Sequence, residues 1–515
     1  MADDIFLGLD LGTSGCKLIA FDAHGNERAA ARRSYPSLRP EPGFVELDPD
    51  AVWAAAVACF ADLGAAELPG TVRTLAISAQ GEAVMPVDSH GNVLAKSPIS
   101  ADMRGGPHAT HLERELGAER IYALTGQPVS PLPSLPKLMW WREHRPDLVA
   151  RTSRFLCYGE LALLRLGLPP IIDEGMAART MAYDVGARGW SGEILAAAAI
   201  PTDLMPQVRP SGLIVGSISN EVASELRLPH GVLVVLGGHD QPMGALGAGV
   251  IAPGAGLYAI GTTESLVAIT ATRSEDLGRH NIACYPHAVA GRFVALAGSQ
   301  SGGRVLAWWR DIVRSGEADA LASVEQLLAD LADAPPAGPL LVAHLAGSGS
   351  VLNDPASIGA FFGLGFETDA ADLLRSVLEG ITLEQALSLE ALRSAGLPIA
   401  SLRTIGGGAR SPLWLQMKAD ILGVEIEHVA VEDAPCLGCA ILGACAVNRY
   451  PSPDAAVGAM VRTVRTFRPR GRRHDLHKAR RELYRDLYEA LRPFAPRFRA
   501  LAEAAAMAEE GGGPQ

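Results

Sequence analysis

Ile5-Phe6-Leu7-Gly8-Leu9-Asp10-Leu11-Gly12-Thr13-Ser14-Gly15 is the stretch on which the reading of the fold turns. Its apolar run reads as a buried strand that delivers an aspartate into a glycine-rich turn. A second stretch, Val234-Val235-Leu236-Gly237-Gly238-His239-Asp240-Gln241-Pro242-Met243-Gly244, has the same plan. An aspartate at a strand end can hold a metal or take a proton. Glycines let a phosphate approach backbone N–H groups closely. Asp10 and Asp240 are therefore the pair on which a function is best built.

Outward from Asp10, residues 17–22 complete a β-hairpin about Gly12–Gly15, and 28–35 add a third strand. Pro49 opens a helix reaching Leu63, with Asp48 as its N-cap. Strands follow at 72–78 and 83–87. The polar segment Ala79-Gln80-Gly81-Glu82 between them emerges beside Asp10 if these strands neighbour the first. Ser100-Ala101-Asp102-Met103-Arg104 is a second polar group, ahead of a helix at 107–117. Thr125 to Pro136 is proline-rich and reads as a rigid loop. Helices are expected at 137–144, 154–166, 193–198 and 220–227, with a strand at 231–236 and an ambiguous segment at 213–218.

The pattern breaks at Val250–Gly256. Leu257-Tyr258-Ala259-Ile260-Gly261-Thr262-Thr263 and the strand at 266–270 then repeat the plan of residues 5–22, which suggests a second domain opening like the first. A strand at 293–296, the turn 298–303 and a helix to Val313 follow. Residues 314–339 read as a helix and a Pro/Gly connection, and 370–387 as a long helix. A strand at 402–405 enters Gly406-Gly407-Gly408-Ala409-Arg410-Ser411, and Pro412 begins a helix to Leu422. A strand at 424–428 and helices at 436–447 and 476–491 complete the pattern, with a basic, partly ordered arm at 461–473 and a frayed end from Ala504 to Gln515. This is an α/β chain in two halves. A barrel does not fit, because the strands cluster in hairpins.

Composition supports this reading. At 515 residues and 48% hydrophobic content the chain is too long for one ordinary core. Lys and Arg number 45 against 57 Asp and Glu, a net charge of −12, which argues against a general nucleic-acid binder. The acidic start lacks a basic n-region, no apolar run reaches transmembrane length, and seven scattered cysteines suit a reducing compartment, so a cytoplasmic protein is expected. Cys436 and Cys439 form a CxxC in a small-residue run. Cys445 is nearby and His428 is the only other candidate, short of four good ligands at chelating spacing, which favours helix packing over zinc or redox chemistry.

Glycine turns after strands at 12–15, 261–263 and 406–408 can be structural one by one. Together they can hold a phosphate chain, with Thr13, Ser14, Thr262 and Thr263 as further donors. No GxxxxGK[ST] is present, and no Rossmann GxGxxG lies near the first strand. Phosphoryl transfer needs cradled phosphates, a magnesium site and a means to orient and deprotonate an acceptor. Asp10 suits the metal and Asp240 the base. Asp240 can alternatively cap a helix near Pro242, and His239 is a second candidate base.

Gly8-Leu9-Asp10-Leu11-Gly12-Thr13-Ser14, Gly238-His239-Asp240-Gln241, Gly261-Thr262-Thr263, the 298–303 turn, Gly359–Leu364, Val377-Leu378-Glu379-Gly380 and Gly406–Asp420 together resemble the FGGY carbohydrate kinases, across nearly the whole chain. The resemblance implies two ribonuclease H-like (actin-like) domains with mixed sheets flanked by helices and an interdomain cleft. The division would be 1–249 for the sugar side and first phosphate loop, 250–475 for the nucleotide side, and 476–515 for a terminal helix and tail. It implies ATP and Mg²⁺ as cofactors. Asp10, Gly12, Thr13 and Ser14 would face phosphates, with Asp10 at the metal. Gly261 and Thr262 would form a second phosphate loop, and Gly407, Gly408, Ala409 and Ser411 would lie at the adenosine. Asp240 would be the catalytic base. Gln80, Glu82, Asp102, Asp240 and Gln241 would be candidates for the sugar.

Glycerol kinases of this family usually carry Gln-Arg-Glu-Thr where this chain has Gln80-Gly81-Glu82-Ala83, and xylulose kinases usually carry Gln-Met-His-Gly. Ser100 and Ala101 stand where many members have a tryptophan before the Asp-x-Arg segment. Asp102 can bind sugar, cap a helix or pair with Arg104, and Glu82 can bind sugar or serve the turn. The expected activity is phosphorylation of a terminal hydroxyl of an open-chain sugar such as a pentulose. The alternatives are a polyol kinase acting on glycerol, erythritol or a related alcohol, and a noncatalytic nucleotide-dependent binding protein. Neither nucleic acid nor membrane is expected as a partner; family members are often dimers or tetramers, so a homodimer fits.

Overall fold

The apolar segments on either side of Gly12–Gly15 pair as an antiparallel hairpin, β1 (Asp3–Leu11) with β2 (Gly15–Asp22), and β3 (Glu27–Ser34) adds to it. The computed structural model describes residues 3–64, 68–313 and 338–510. β4 (Gly70–Ala79), β5 (Ile214–Ser217) and β6 (Leu233–His239) complete a six-stranded sheet of order β5–β6–β4–β1–β2–β3. β1, β4 and β6 are mutually parallel neighbours, and the remaining pairs are antiparallel, so the sheet is mixed.

The chain separates into two compact units. The first contains Met1–Ala255, Val267–Ala295 and Val429–Arg462. The second contains Gly256–Leu266, Leu296–His428 and Thr463–Gln515.

In the first unit, the helices Asp240–Gly247 and Ala434–Ala446 cover one face of the sheet. Phe6, Ile19, Ala76, Met243, Leu246, Cys436 and Cys439 are among the buried residues of that core. Contact is so close that side chains are excluded. A Cβ on Gly8 would stand 2.1 Å from the Cys436 carbonyl oxygen, one on Gly247 1.8 Å from that of Ala434, and one on Gly438 2.2 Å from that of Met243. Small residues in these elements therefore serve backbone packing.

In the second unit, Ile399–Ile405 and Glu425–Val429 pair in parallel, Ser401 facing Glu425 and Thr404 facing His428. Its segment Gly256–Leu266 holds the Gly261–Thr263 turn, flanked by the strands Gly254–Ile260 and Glu264–Thr270, whose outer ends count with the first unit. The helix Ala370–Ser394 is longer than its apolar pattern suggests, and Asp369 caps it with a reciprocal bond from Asp372.

Several local expectations need correction. Residues 154–166 are not one helix: Arg154–Cys157 is a strand paired with Val84–Val87, and the helix Tyr158–Arg165 starts after it, its Glu160 carboxylate accepting the Cys157 N–H at 2.7 Å. The proline-rich loop ends early, because Ser134–His144 is helical and Pro136 sits in the first turn, where no N–H is needed. The basic arm contains a strand, Thr463–Phe467, and the helix after it begins at Gly471. Ala504 to Glu510 continues the helix Ala495–Glu510. The helix expected within 314–337 lies outside the described residues. No helix among the described residues is long and apolar enough to cross a membrane.

Candidate active site

In the parallel register Asp10 faces Ser78, Gly238 also faces Ser78, and Leu11 and His239 both face Ala79. The carboxyl ends of β1, β4 and β6 thus bring Asp10, Gln80 and Asp240 to one edge of the sheet. Crevices at such edges are where ligands bind in open α/β sheets. The Gln80 N–H donates to the Leu11 carbonyl at 2.9 Å, and its Nε2 donates to the Gly12 carbonyl at 3.2 Å. The segment after β4 does emerge beside Asp10.

Asp10 is buried, and the Ser78 hydroxyl donates to it at 2.9 Å. Burial, and after it the charge of Asp240, push its carboxyl up to about 7, while Lys17 and Ser78 oppose the shift. Lys17 bonds Asp433 at 2.6 Å, and Arg32 bonds the same carboxylate at 2.6 Å. The turn after β1 closes through the Gly12 N–H to the Gly15 carbonyl, 3.0 Å, and the Tyr35 hydroxyl donates to the Gly12 carbonyl at 2.6 Å. Thr13 and Ser14 are exposed at its tip.

Asp240 opens its helix, and the preceding His239 occupies the cap position without a capping side-chain bond. The Asp240 carboxylate lies 3.1 Å from His239 Nε2, with the side chain 26% exposed. His239 is buried, and its Nδ1 meets the Tyr285 hydroxyl at 3.0 Å. A tyrosine hydroxyl donating to Nδ1 leaves the imidazole N–H on Nε2, aimed at Asp240. Gln241 follows in the first turn.

Glu82 is buried and bonded twice to Arg179, at 2.9 and 2.8 Å. Despite burial, which acts to raise it, Arg179 holds the Glu82 carboxyl below the usual range. Gly81 is small for a local reason: a Cβ there would stand 2.7 Å from His239 Nε2. Asp102 is fully buried elsewhere in the unit's bonding network. Its oxygens accept the Val45 N–H at 2.7 Å and the Arg104 guanidinium twice at 2.8 Å, and that guanidinium lies over the Phe44 ring. These bonds are the Arg104 ion pair that the sequence left open for Asp102.

In the second unit the Gly261 and Thr262 carbonyls accept the N–H groups of Gly303 and Arg304, at 2.9 and 3.1 Å. Gly406 has φ 90°, and a Cβ there would stand 2.7 Å from the Ile260 carbonyl oxygen. The Gly406–Gly408 turn therefore lies against the end of Gly254–Ile260. Gly407 is exposed, Ala409 is buried, and the Ser411 hydroxyl caps the helix Pro412–Leu422 through the Trp414 N–H at 3.3 Å. A wholly buried pair that the sequence reading missed supports this region: Lys418 bonds both Glu264 oxygens, at 2.8 and 3.0 Å, and the Tyr258 hydroxyl at 2.7 Å. Burial brings the Lys418 ammonium down to about 8.

Asp10 offers the carboxylate oxygens that suit Mg²⁺, and the charge of Asp240, which helps burial to raise its carboxyl, is one that a bound cation would offset. Burial raises the thiols of Cys436 and Cys439 well above their ordinary value, which disfavours the thiolate a metal needs. Among the described residues one further group, His108, Glu143 and His144, brings ligand atoms within 4.8 Å of one another.

The chain matches the FGGY family of carbohydrate kinases, its N-terminal domain over residues 5–247 and its C-terminal domain over 256–447. It is 29% identical over 496 residues to a xylulose kinase of Staphylococcus epidermidis, covering 95% of this chain and 97% of that one. Identity to the xylulose kinase of Escherichia coli is also 29% over 496 residues, covering 95% and 99%. Among solved structures, one described as a xyloylose kinase from Brucella ovis matches with a TM-score of 0.86 at 30% identity, over 95% of this chain and 100% of that one.

Proposed function

Since the chain belongs to the FGGY family of carbohydrate kinases, we propose that it transfers the terminal phosphoryl group of ATP to a terminal hydroxyl of a small open-chain sugar, a pentulose first. The observation that carries this reading is the convergence of Asp10, the Gln80–Glu82 segment and Asp240 at the carboxyl ends of three adjacent parallel strands. A metal-binding carboxylate, a polar wall and a partly exposed base then share one sheet edge.

Asp240 takes the acceptor hydroxyl's proton as the sugar oxygen bonds to phosphorus and the bond to the leaving ADP oxygen breaks. The His239 N–H at 3.1 Å steadies the carboxylate and fixes its direction. Asp10 would hold Mg²⁺, whose charge would offset that of the phosphates. The Gly12–Ser14 turn supplies phosphate donors, as do Gly261 and Thr262 in the second unit, and Gly407, Gly408, Ala409 and Ser411 are on the adenosine side. Gln80, Glu82 and Gln241 take the sugar side.

The names of the relatives support a pentulose. The retained Glu82 supports the second reading, a polyol kinase, because glycerol kinases keep a glutamate at this place. A noncatalytic role is disfavoured by the retention of both Asp10 and Asp240. ADP release with Mg-ATP across ketoses, aldoses, polyols and sugar acids, each product checked for phosphate, tests the reading. One strongly preferred ketose is expected. A preferred polyol moves the assignment to the second reading, and nucleotide binding without any acceptor-dependent turnover defeats both.

A further inference from the structure

Glu82 has φ 51°, a left-handed conformation uncommon outside glycine, at a fully enclosed position. The Ser134 hydroxyl pins its carbonyl at 2.9 Å, and Arg179 pins its carboxylate. The same guanidinium donates to Gln127 Oε1 at 2.8 Å. That bond sets the orientation of the Gln127 amide and turns Nε2 away from Arg179. Gln127 is 1% exposed, and its Nε2 has no partner among the described residues. Gln80, 2% exposed, donates its Nε2 to the Gly12 carbonyl, and its Oε1 has no partner among the described residues. Buried polar atoms are ordinarily satisfied, so this donor and this acceptor call for groups from outside the chain.

The complement of one free amide donor, one free amide acceptor and a carboxylate with spare lone pairs is a run of hydroxyls, each able to give and to take a hydrogen bond. A substrate carboxylate fits badly, because it only accepts and has no hydrogen to offer Gln80 Oε1 or the Glu82 carboxylate. We propose that Gln127 is a substrate-binding residue and Arg179 a positioning residue, which together select an uncharged open-chain polyhydroxy acceptor over the sugar acid of the same length. This rests on the kinase reading above and narrows it. The arginine that glycerol kinases carry beside their glutamate is absent at Gly81, and Arg179 brings its guanidinium to Glu82 from another element.

The test compares the full-length protein with Gln127→Met, Arg179→Lys and Arg179→Met. Steady-state kinetics on neutral sugars and sugar acids is combined with calorimetric titration of sugar without nucleotide. Gln127→Met is expected to raise the KM for the sugar roughly 10- to 100-fold, with kcat and the KM for ATP little changed. Arg179→Lys should recover part of what Arg179→Met loses. A lower melting temperature with unchanged sugar KM would show that Gln127 only packs, and would overturn the proposal. The unaltered protein supplies an arm that needs no variant: preference for a sugar acid, or no calorimetric binding of any neutral sugar, also overturns it. Sugar binding that Gln127→Met weakens, in a protein that never turns over, would uphold the pocket and defeat the kinase reading instead.

Discussion

Asp240 stands first in its helix, and its side chain is open enough to meet a hydroxyl. Replacing it with asparagine keeps the shape and the His239 contact but removes the proton acceptor. Asp240→Asn is expected to cut phosphoryl transfer by about 10²- to 10⁴-fold while nucleotide binding, measured by calorimetry, persists; near-normal turnover would place the base elsewhere. Glu160 offers a different test. Burial holds its carboxyl up at about 8, and the Asp173 charge nearby adds to the rise; Asp173 is itself held up at about 6 by burial. A carboxyl raised in the folded chain binds a proton that the unfolded chain has released, so stability falls as pH climbs from about 4.5 toward 8. One such group contributes at most about 1.4 kcal/mol per pH unit. Glu160→Gln keeps an acceptor for the Cys157 N–H, so thermal melts between pH 5 and 7.5 should slope less steeply in the variant; an unchanged slope would mean that Glu160 is ionised in the fold. Lys137 and Lys418, both brought down to about 8, act in the opposite sense above that window. Asp10 and Asp240 were legible because each closes an apolar run beside glycines, although Asp240 opens a helix and not the glycine-rich turn its stretch suggested. Arg179 and Gln127 were not: Arg179 sits among alanines, and its bonds to residues 97 and 52 positions away leave no periodic trace.

At the scale of elements, strands that show alternation or continuous apolarity were legible, and so was the hairpin about Gly12. The strand Arg154–Cys157 was not, because its four residues run straight into a helix and only the ladder with Val84–Val87 makes it a strand. The helix Ala434–Ala446 shows how a motif is decided by packing. Its CxxC resembles a ligand pair, yet Gly438 between the cysteines is the residue with no freedom, its absent Cβ only 2.2 Å from the Met243 carbonyl oxygen. Gly438→Ala is therefore expected to cost about 3 kcal/mol or more, since a backbone contact cannot give way as a side chain can. Cys439→Ala, which removes one buried sulfur, should cost roughly 1 kcal/mol. Urea melts of the two variants check this, and the opposite order would restore a special role for the cysteine.

At the scale of the molecule, the sequence marks one break, at Val250–Gly256, and carries no sign of where the chain rejoins its first unit. It returns there at Val267–Ala295 and again at Val429–Arg462, and the second return is structural rather than incidental. The helix Ala434–Ala446 covers Phe6, Ile19 and Ala76 on the sheet and lies against the helix that begins at Asp240. A fragment of residues 1–249 would lose that cover and leave the apolar face of β1 and β4 in water, an area too large for a soluble monomer to expose. Such a fragment is expected to bind hydrophobic dye and to melt without a cooperative transition. Residues 1–295 joined by a flexible linker to 429–462 contain every segment of the first unit, and this joined chain should regain a sharp transition. If it also binds the preferred sugar in the absence of nucleotide, the acceptor side is a property of the first unit alone. A cooperative melt from residues 1–249 by themselves would show instead that Ala434–Ala446 caps a core able to stand without it, and the close glycine contacts at Gly8 and Gly247 would then need another explanation than the stability of the sheet.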